Sequence, residues 1–169
     1  MNSLKDKRSD APVLRASRLF KEGFNCSQAV FCSLVDEDLI SHELALKLTS
    51  PFGGGIARQG GVCGALSGAL MFLGLHLGNV EPAGKENTYS LAGKFIDEFK
   101  GTHGSILCNE LLGVDISTQE GITKARESQI FDKICPLLVI QTTEAILDFV
   151  EKTRAPTVVQ TKPNVTSEN

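Results

Sequence analysis

The chain has 169 residues, 41% of them hydrophobic and 22% charged, a balance that fits a globular domain with a proper core and excludes a disordered chain. Net charge is −3, without a basic patch or arginine-rich run, which sets nucleic-acid binding aside. The five cysteines, Cys26, Cys32, Cys63, Cys108 and Cys135, are too sparse for a disulfide scaffold at this length. Their odd number fits metal or redox work better than structural bridging.

Residues 1–9 read as a disordered N-terminus without an apolar signal segment, so a cytoplasmic location is expected. A single domain is expected over residues 10–154. Asp10 reads as the cap of a first helix, with Pro12 in its first turn, Leu14, Leu19 and Phe20 on its apolar face and Gly23 as its stop. Asn25 caps a second helix with Cys26 in the first turn and Ala29, Val30, Leu34 and Val35 as its buried positions. Cys32 lies six residues after Cys26, about 240° round the helix, so the two do not share a face, and Cys32 reads as a small core hydrophobe. Ser41 caps a third helix, with Leu44, Ala45 and Leu48 inward and Pro51 at its end.

From Pro51 to Leu77 runs the most unusual stretch, PFGGGIARQGGVCGALSGALMFLGLHL. A glycine-rich loop with Arg58 feeds an apolar helix expected over residues 61–77, and Cys63 sits at its mouth. A helix N-terminus gathers backbone N–H groups and a positive dipole end, which eases ionisation of a thiol, and Arg58 adds to that effect. Gly54, Gly55 and Arg58 are therefore candidate cofactor-binding residues. The Lys-Ser/Thr of a phosphate-binding P-loop is missing, and no strand precedes the loop. Gly60, Gly64 and Gly68 form a row of small residues where another backbone can come close. Residues 59–80 carry no formal charge and are long enough to span a bilayer, but the glycines, Ser67 and His76 favour a buried core helix.

Gly78 to Gly84 reads as a turn. An amphipathic helix carrying Tyr89, Ala92, Phe95, Ile96 and Phe99 follows and ends at Gly101. Ser105 caps a brief helix with Cys108 and Glu110, stopped by Gly113. Ser117 and Glu120 form a capping box for the next. Pro136 reads as the first residue of the last helix, which puts Cys135 at its cap and Val139, Ile146, Leu147 and Val150 on its buried stripe. Residues 155–169 are polar, hold two prolines and read as a disordered tail. No strand pattern and no internal repeat is found, so the expected fold is all-α: a compact multi-helix bundle around the central glycine-flanked helix.

Cys26, Cys63, Cys108 and Cys135 all fall at expected helix starts. If those helices converge, four thiolates face one point. Such a point suits an iron–sulfur cluster or other metal, or one or two redox disulfides. The competing reading is a helical interaction module with cysteines packed in its core. There is no CxxC, which weakens the zinc-ribbon and thioredoxin readings. Of the histidines, His42 reads as solvated, His76 as a core residue and His103 as a candidate extra ligand or proton donor. Glu110 is a candidate proton relay.

Several segments together resemble the C-GCAxxG-C-C family, a group described as redox-active and named for its cysteine pattern. They are residues 24–29 (FNCSQA), 53–58 (GGGIAR), 63–69 (CGALSGA), 108–113 (CNELLG) and Cys135-Pro136. The literal string GCAxxG is absent, because Val62 precedes Cys63 and Gly64 intervenes before Ala65. The resemblance implies an α-helical protein of bacterial or archaeal type, with a redox role carried by the four cysteines, but no settled reaction. Cys63 is the expected nucleophile, with Cys26, Cys108 and Cys135 as further redox thiols or, with Cys63, as metal ligands. The thiol count slightly favours a bound iron–sulfur or other metal centre, because exchange needs two thiols and a cluster commonly uses four. An unidentified redox partner and a homo-oligomer are further expectations, and membrane attachment is not expected.

Overall fold

The computed structural model describes residues 11–154. The Asp10 cap and the expected disorder of residues 1–9 and 155–169 lie outside the described residues. In chain order the helices are α1 (Pro12–Lys21), α2 (Cys26–Leu34), α3 (His42–Thr49), α4 (Gly64–Leu77), α5 (Lys85–His103), α6 (Cys108–Leu112), α7 (Gln119–Glu127) and α8 (Ile130–Arg154). Short 3-10 turns at Ser50–Phe52 and Pro82–Gly84 precede the glycine loop and α5. Among the described residues the fold is all-α without strands, as the sequence predicts. An isolated antiparallel bridge joins Val62 to Leu107.

Local chemistry explains most of the boundaries. The Asn25 side chain accepts from the Gln28 amide, and the Gln28 side chain accepts from the Asn25 amide, each at 3.0 Å, so a capping box starts α2. Ser41 caps α3 by accepting from the Leu44 amide. α5 runs through Gly101 and stops at Gly104, whose φ of +83° gives the left-handed C-terminal turn that a glycine adopts without strain. The cap of α7 is Thr118 rather than Ser117.

α2 packs against α1, α3, α4 and α8, and α4 packs against α2, α5 and α8. The seam between α2 and α4 depends on two glycines. A Cβ at Gly64 would lie 2.7 Å from the Phe52 carbonyl oxygen and 3.3 Å from Cys26 Cβ, and one at Gly68 would lie 2.8 Å from the Ser27 carbonyl oxygen. The core holds Val30 and Phe31 of α2, Leu66, Phe72 and Leu73 of α4, Phe95 and Phe99 of α5, and Val139 and Ile146 of α8. No helix among the described residues is long and apolar enough to cross a membrane. The uncharged stretch is broken by the glycine loop, and its helical part, α4, has 14 residues.

Three local expectations are corrected. Leu14 is exposed, because α1 turns Ala16 inward beside the expected Leu19. Leu44 and Leu48 also face outward, because the short α3 buries Ala45 and Thr49. The last helix begins at Ile130, not at Pro136. Gln129, with φ of +55°, turns the chain, and α8 then passes through Pro136, which removes the bond its own N–H would have made to the Asp132 carbonyl and sets its ring against that carbonyl. Cys135 thus lies inside α8 rather than at a cap.

Candidate functional site

Cys26 is the first residue of α2, Cys63 the N-cap of α4 and Cys108 the first residue of α6, while Cys135 projects from the second turn of α8. All four line one cavity of about 710 Å³. Short-range geometry explains how they arrive there. The Asn25 side chain also donates to the Ser50 carbonyl at 2.9 Å, and the Gln28 side chain donates to the Leu46 carbonyl at 3.1 Å, so the start of α2 is tied to the chain entering the glycine loop. At the far end of that loop the Cys63 amide donates to the Ile106 carbonyl and the Cys108 amide to the Gly61 carbonyl, both at 2.8 Å. These two bonds flank the Val62–Leu107 bridge and set two cysteine-bearing helix starts side by side.

The loop itself is left-handed. Gly54 and Gly55, then Ile56, Ala57 and Arg58 with φ of 63°, 49° and 61°, form one continuous left-handed turn. Gly60 is also left-handed, and a Cβ there would overlap the Asn109 side chain. Gly54 and Arg58 line the cavity. Gly55 is buried and closes the loop instead: a Cβ there would come 2.5 Å from the Gly61 backbone.

All five thiols are free. The four in the cavity interact as two pairs. Cys63 is pulled below the ordinary thiol value, first by its hydrogen-bonding interaction with Cys108 and then, against the effect of burial, by the Ala65 and Leu66 amides. Those amides favour the thiolate although neither makes a cap bond of full geometry. Cys108 is pushed far upward by the same interaction with Cys63, then by burial and the Cys63 charge, while the Gly64 amide opposes the rise. One thiol of this pair therefore keeps its proton while the other readily gives it up. Cys26 is also held protonated, first by its interaction with Cys135, then by burial and by the charges of the other cysteines. Cys32 stands apart, next to Thr49, and burial pushes it up to about 11.

The remaining candidates lie elsewhere. His42 is exposed. His76 packs on the Phe72 ring and takes a 2.8 Å contact from Arg154, and His103 packs on Phe99. No histidine lines the cysteine cavity. The Glu110 carboxylate accepts a hydrogen bond from the Ser105 hydroxyl, which in turn accepts from the Leu107 amide, so its role here is to fold the turn before α6. Sequence reasoning missed the cavity's walls, including Phe20, Phe24 and Phe131, and the cations Lys21 and Arg126 at its rim. Their local patterns are those of ordinary core or surface positions, and only tertiary packing brings them to the cysteines.

The donor set suits a thiolate-liganded metal in kind, but less well in arrangement. Among the described residues, no group of three or more His, Cys, Asp or Glu side chains is placed to hold a metal ion. The strongest thiol–thiol interactions instead join Cys63 with Cys108 and Cys26 with Cys135, with weaker charge effects between the two pairs.

Neither curated proteins nor solved structures yielded a match to this chain. A family model did, described as "Putative redox-active protein (C_GCAxxG_C_C)", over residues 24–149. That span takes in all four cavity cysteines and more than half of the chain, so the protein belongs to the C_GCAxxG_C_C family.

Proposed function

We propose that this protein is a dithiol–disulfide redox protein in which Cys63 and Cys108 form the reacting pair and Cys26 and Cys135 a second pair in the same cavity. The observation that carries this reading is that four free, buried thiols line one cavity and that the backbone bonds around the Val62–Leu107 bridge hold the Cys63 and Cys108 helix starts side by side; the lowering of Cys63 and raising of Cys108 by their mutual interaction agrees with it.

The Cys63 thiolate attacks one sulfur of a disulfide RS–SR. A Cys63–SR bond forms, and RS⁻ leaves. Cys108 then releases its proton, and its sulfur attacks Cys63 Sγ, which breaks the mixed disulfide, expels the second RS⁻ and leaves a Cys63–Cys108 bond. Two electrons pass from the thiol pair to the substrate. The first step prepares the second: once Cys63 is in a mixed disulfide, its sulfur is no longer the thiolate to which Cys108 holds its proton, so the hydrogen-bonding interaction that raises Cys108 most weakens and the Cys63 charge goes with it, leaving burial as the remaining cause.

The test is anaerobic purification, followed by metal and sulfide analysis, a free-thiol count and mapping of the bonds formed on mild oxidation. The dithiol reading expects thiols to vanish in pairs, with Cys63 joined to Cys108 and Cys26 to Cys135. Stoichiometric iron and sulfide, lost in Cys63→Ser, would overturn it in favour of the metal centre. A protein with neither metal nor oxidisable pairs would be the helical interaction module.

A further inference from the structure

The cavity restricts what the Cys63–Cys108 pair can meet. Cys63 is 1% exposed and Cys108 is 7% exposed, so a disulfide fixed on the surface of a folded protein does not reach either sulfur. The way in is the cavity, whose volume of about 710 Å³ lies within the range of small-molecule sites, roughly 300–1,000 Å³. Its walls are mainly apolar, with the rings of Phe20, Phe24 and Phe131 among them. Its rim is not. Lys21, Arg58 and Arg126 line the cavity and are exposed, none has an ion-pair partner among the described residues, and Asp132 is the single carboxylate among the lining residues. An apolar chamber with a cationic rim favours a molecule with an apolar body and a negative end, because rim charges raise the encounter rate with an oppositely charged ligand.

We infer that the substrate is a low-molecular-weight organic disulfide carrying negative charge, its body held among the phenylalanines and its anionic group at Lys21, Arg58 and Arg126. This rests on the dithiol reading above. One turnover takes one RS–SR and the two thiols of Cys63 and Cys108, and gives the Cys63–Cys108 disulfide, two RS⁻ and two protons.

The experiment uses the reduced full-length chain and two aromatic disulfides of similar size, the dianion 5,5′-dithiobis(2-nitrobenzoate) and the neutral 4,4′-dithiodipyridine. Each rate is normalised to that of free cysteine with the same probe. The expected result is a preference for the dianion of about tenfold or more at low salt, which shrinks as salt is raised. In a Lys21→Gln, Arg126→Gln variant, which leaves Arg58 and its loop untouched, the ratio of the dianion rate to the neutral-probe rate falls by about threefold or more, on the scale expected of rim charges that steer rather than react. A wild-type chain without charge preference, or a variant with the ratio unchanged, overturns the substrate class. So does reduction of insulin disulfides as fast as the dianion. Failure of the underlying reading looks different: Cys63→Ser would then keep the fast reaction with both probes. Circular dichroism on each variant reports whether it is folded.

Discussion

Gly64 follows Cys63 at the point where α4 crosses α2, and replacing it with alanine tests whether that crossing sets the site. The added methyl lies 2.7 Å from the Phe52 carbonyl oxygen, 3.2 Å from the Ser27 amide nitrogen and 3.3 Å from Cys26 Cβ. The first two neighbours are backbone, which cannot rotate away, so the helices must part. Overpacking of this kind costs about 1–3 kcal/mol. The better helix propensity of alanine returns about 0.5–1 kcal/mol. Gly64→Ala should therefore lose up to about 2.5 kcal/mol, or up to roughly 10 °C in Tm for a chain of this size. Gly74 of the same helix is the control: it is exposed and a Cβ there meets nothing within 4 Å, so Gly74→Ala keeps the propensity gain and raises Tm by roughly 1–4 °C. Thermal unfolding followed by circular dichroism reads both. Parting of the helices also carries Cys63 away from Cys26, so Gly64→Ala should alter thiol reactivity where Gly74→Ala does not. Shifts of the same sign in the two variants would refute the reading of the seam.

Three further outcomes are expected. Cys108→Ala removes the largest influence that lowers Cys63, so the pH profile of alkylation at Cys63 should move to higher pH; an unmoved profile would mean that the pair does not interact. Cys32 is raised from 9.0 to about 11, so the folded state holds that proton more tightly, and its stabilising effect, full below about pH 9, is lost as pH rises toward 11. Denaturant titrations of Cys32→Ala should show a flatter decline over that interval than wild type, while Cys63, shifted the other way, works in the opposite sense, losing its contribution as pH falls through its lowered value. Asn25→Ala should cost about 1 kcal/mol in chemical denaturation, since the capping side chain satisfies the Gln28 amide; an unchanged midpoint would mean that water replaces it fully.

The sequence carried the site unevenly. Asn25 before Cys26 and the glycine before a long apolar run are local signals, so two of the four cysteines could be put at helix starts before any fold was known. Cys108 was legible for a different reason, since Gly113 marked the end of a helix too short to begin far from it. Cys135 was misplaced because proline is compatible both with the first turn of a helix and, at the loss of one hydrogen bond, with its interior. The residue that decided between them was Gln129, in a left-handed conformation that nothing in its neighbours announces. Leu44 and Leu48 fit a helical period, but a period does not say which face meets the core, and in α3 the small Ala45 and Thr49 allow the close approach. The rim cations had no local signature, because a surface lysine or arginine looks the same in sequence whether it borders a cavity or bulk water.

The glycine loop shows how these levels interact. Three of the five residues in its left-handed turn are not glycine, and each such residue costs roughly 1–2 kcal/mol in that conformation. A chain choosing its local minimum would not hold Ile56, Ala57 and Arg58 there. What opposes the cost is a set of backbone bonds across the loop: Ala57 to Pro51, Arg58 to Gly53, Gly60 to Gly54 and Gly61 to Gly55. The same loop then accepts the Cys108 and Asn109 amides on the Gly61 and Gly60 carbonyls. Its conformation is thus fixed from both sides, by its own closure and by the start of α6. The consequence is that Arg58 stands at the cavity rim and Cys63 beside Cys108 through one strained segment, so the geometry of the thiol pair and the charge at its entrance are set together rather than residue by residue.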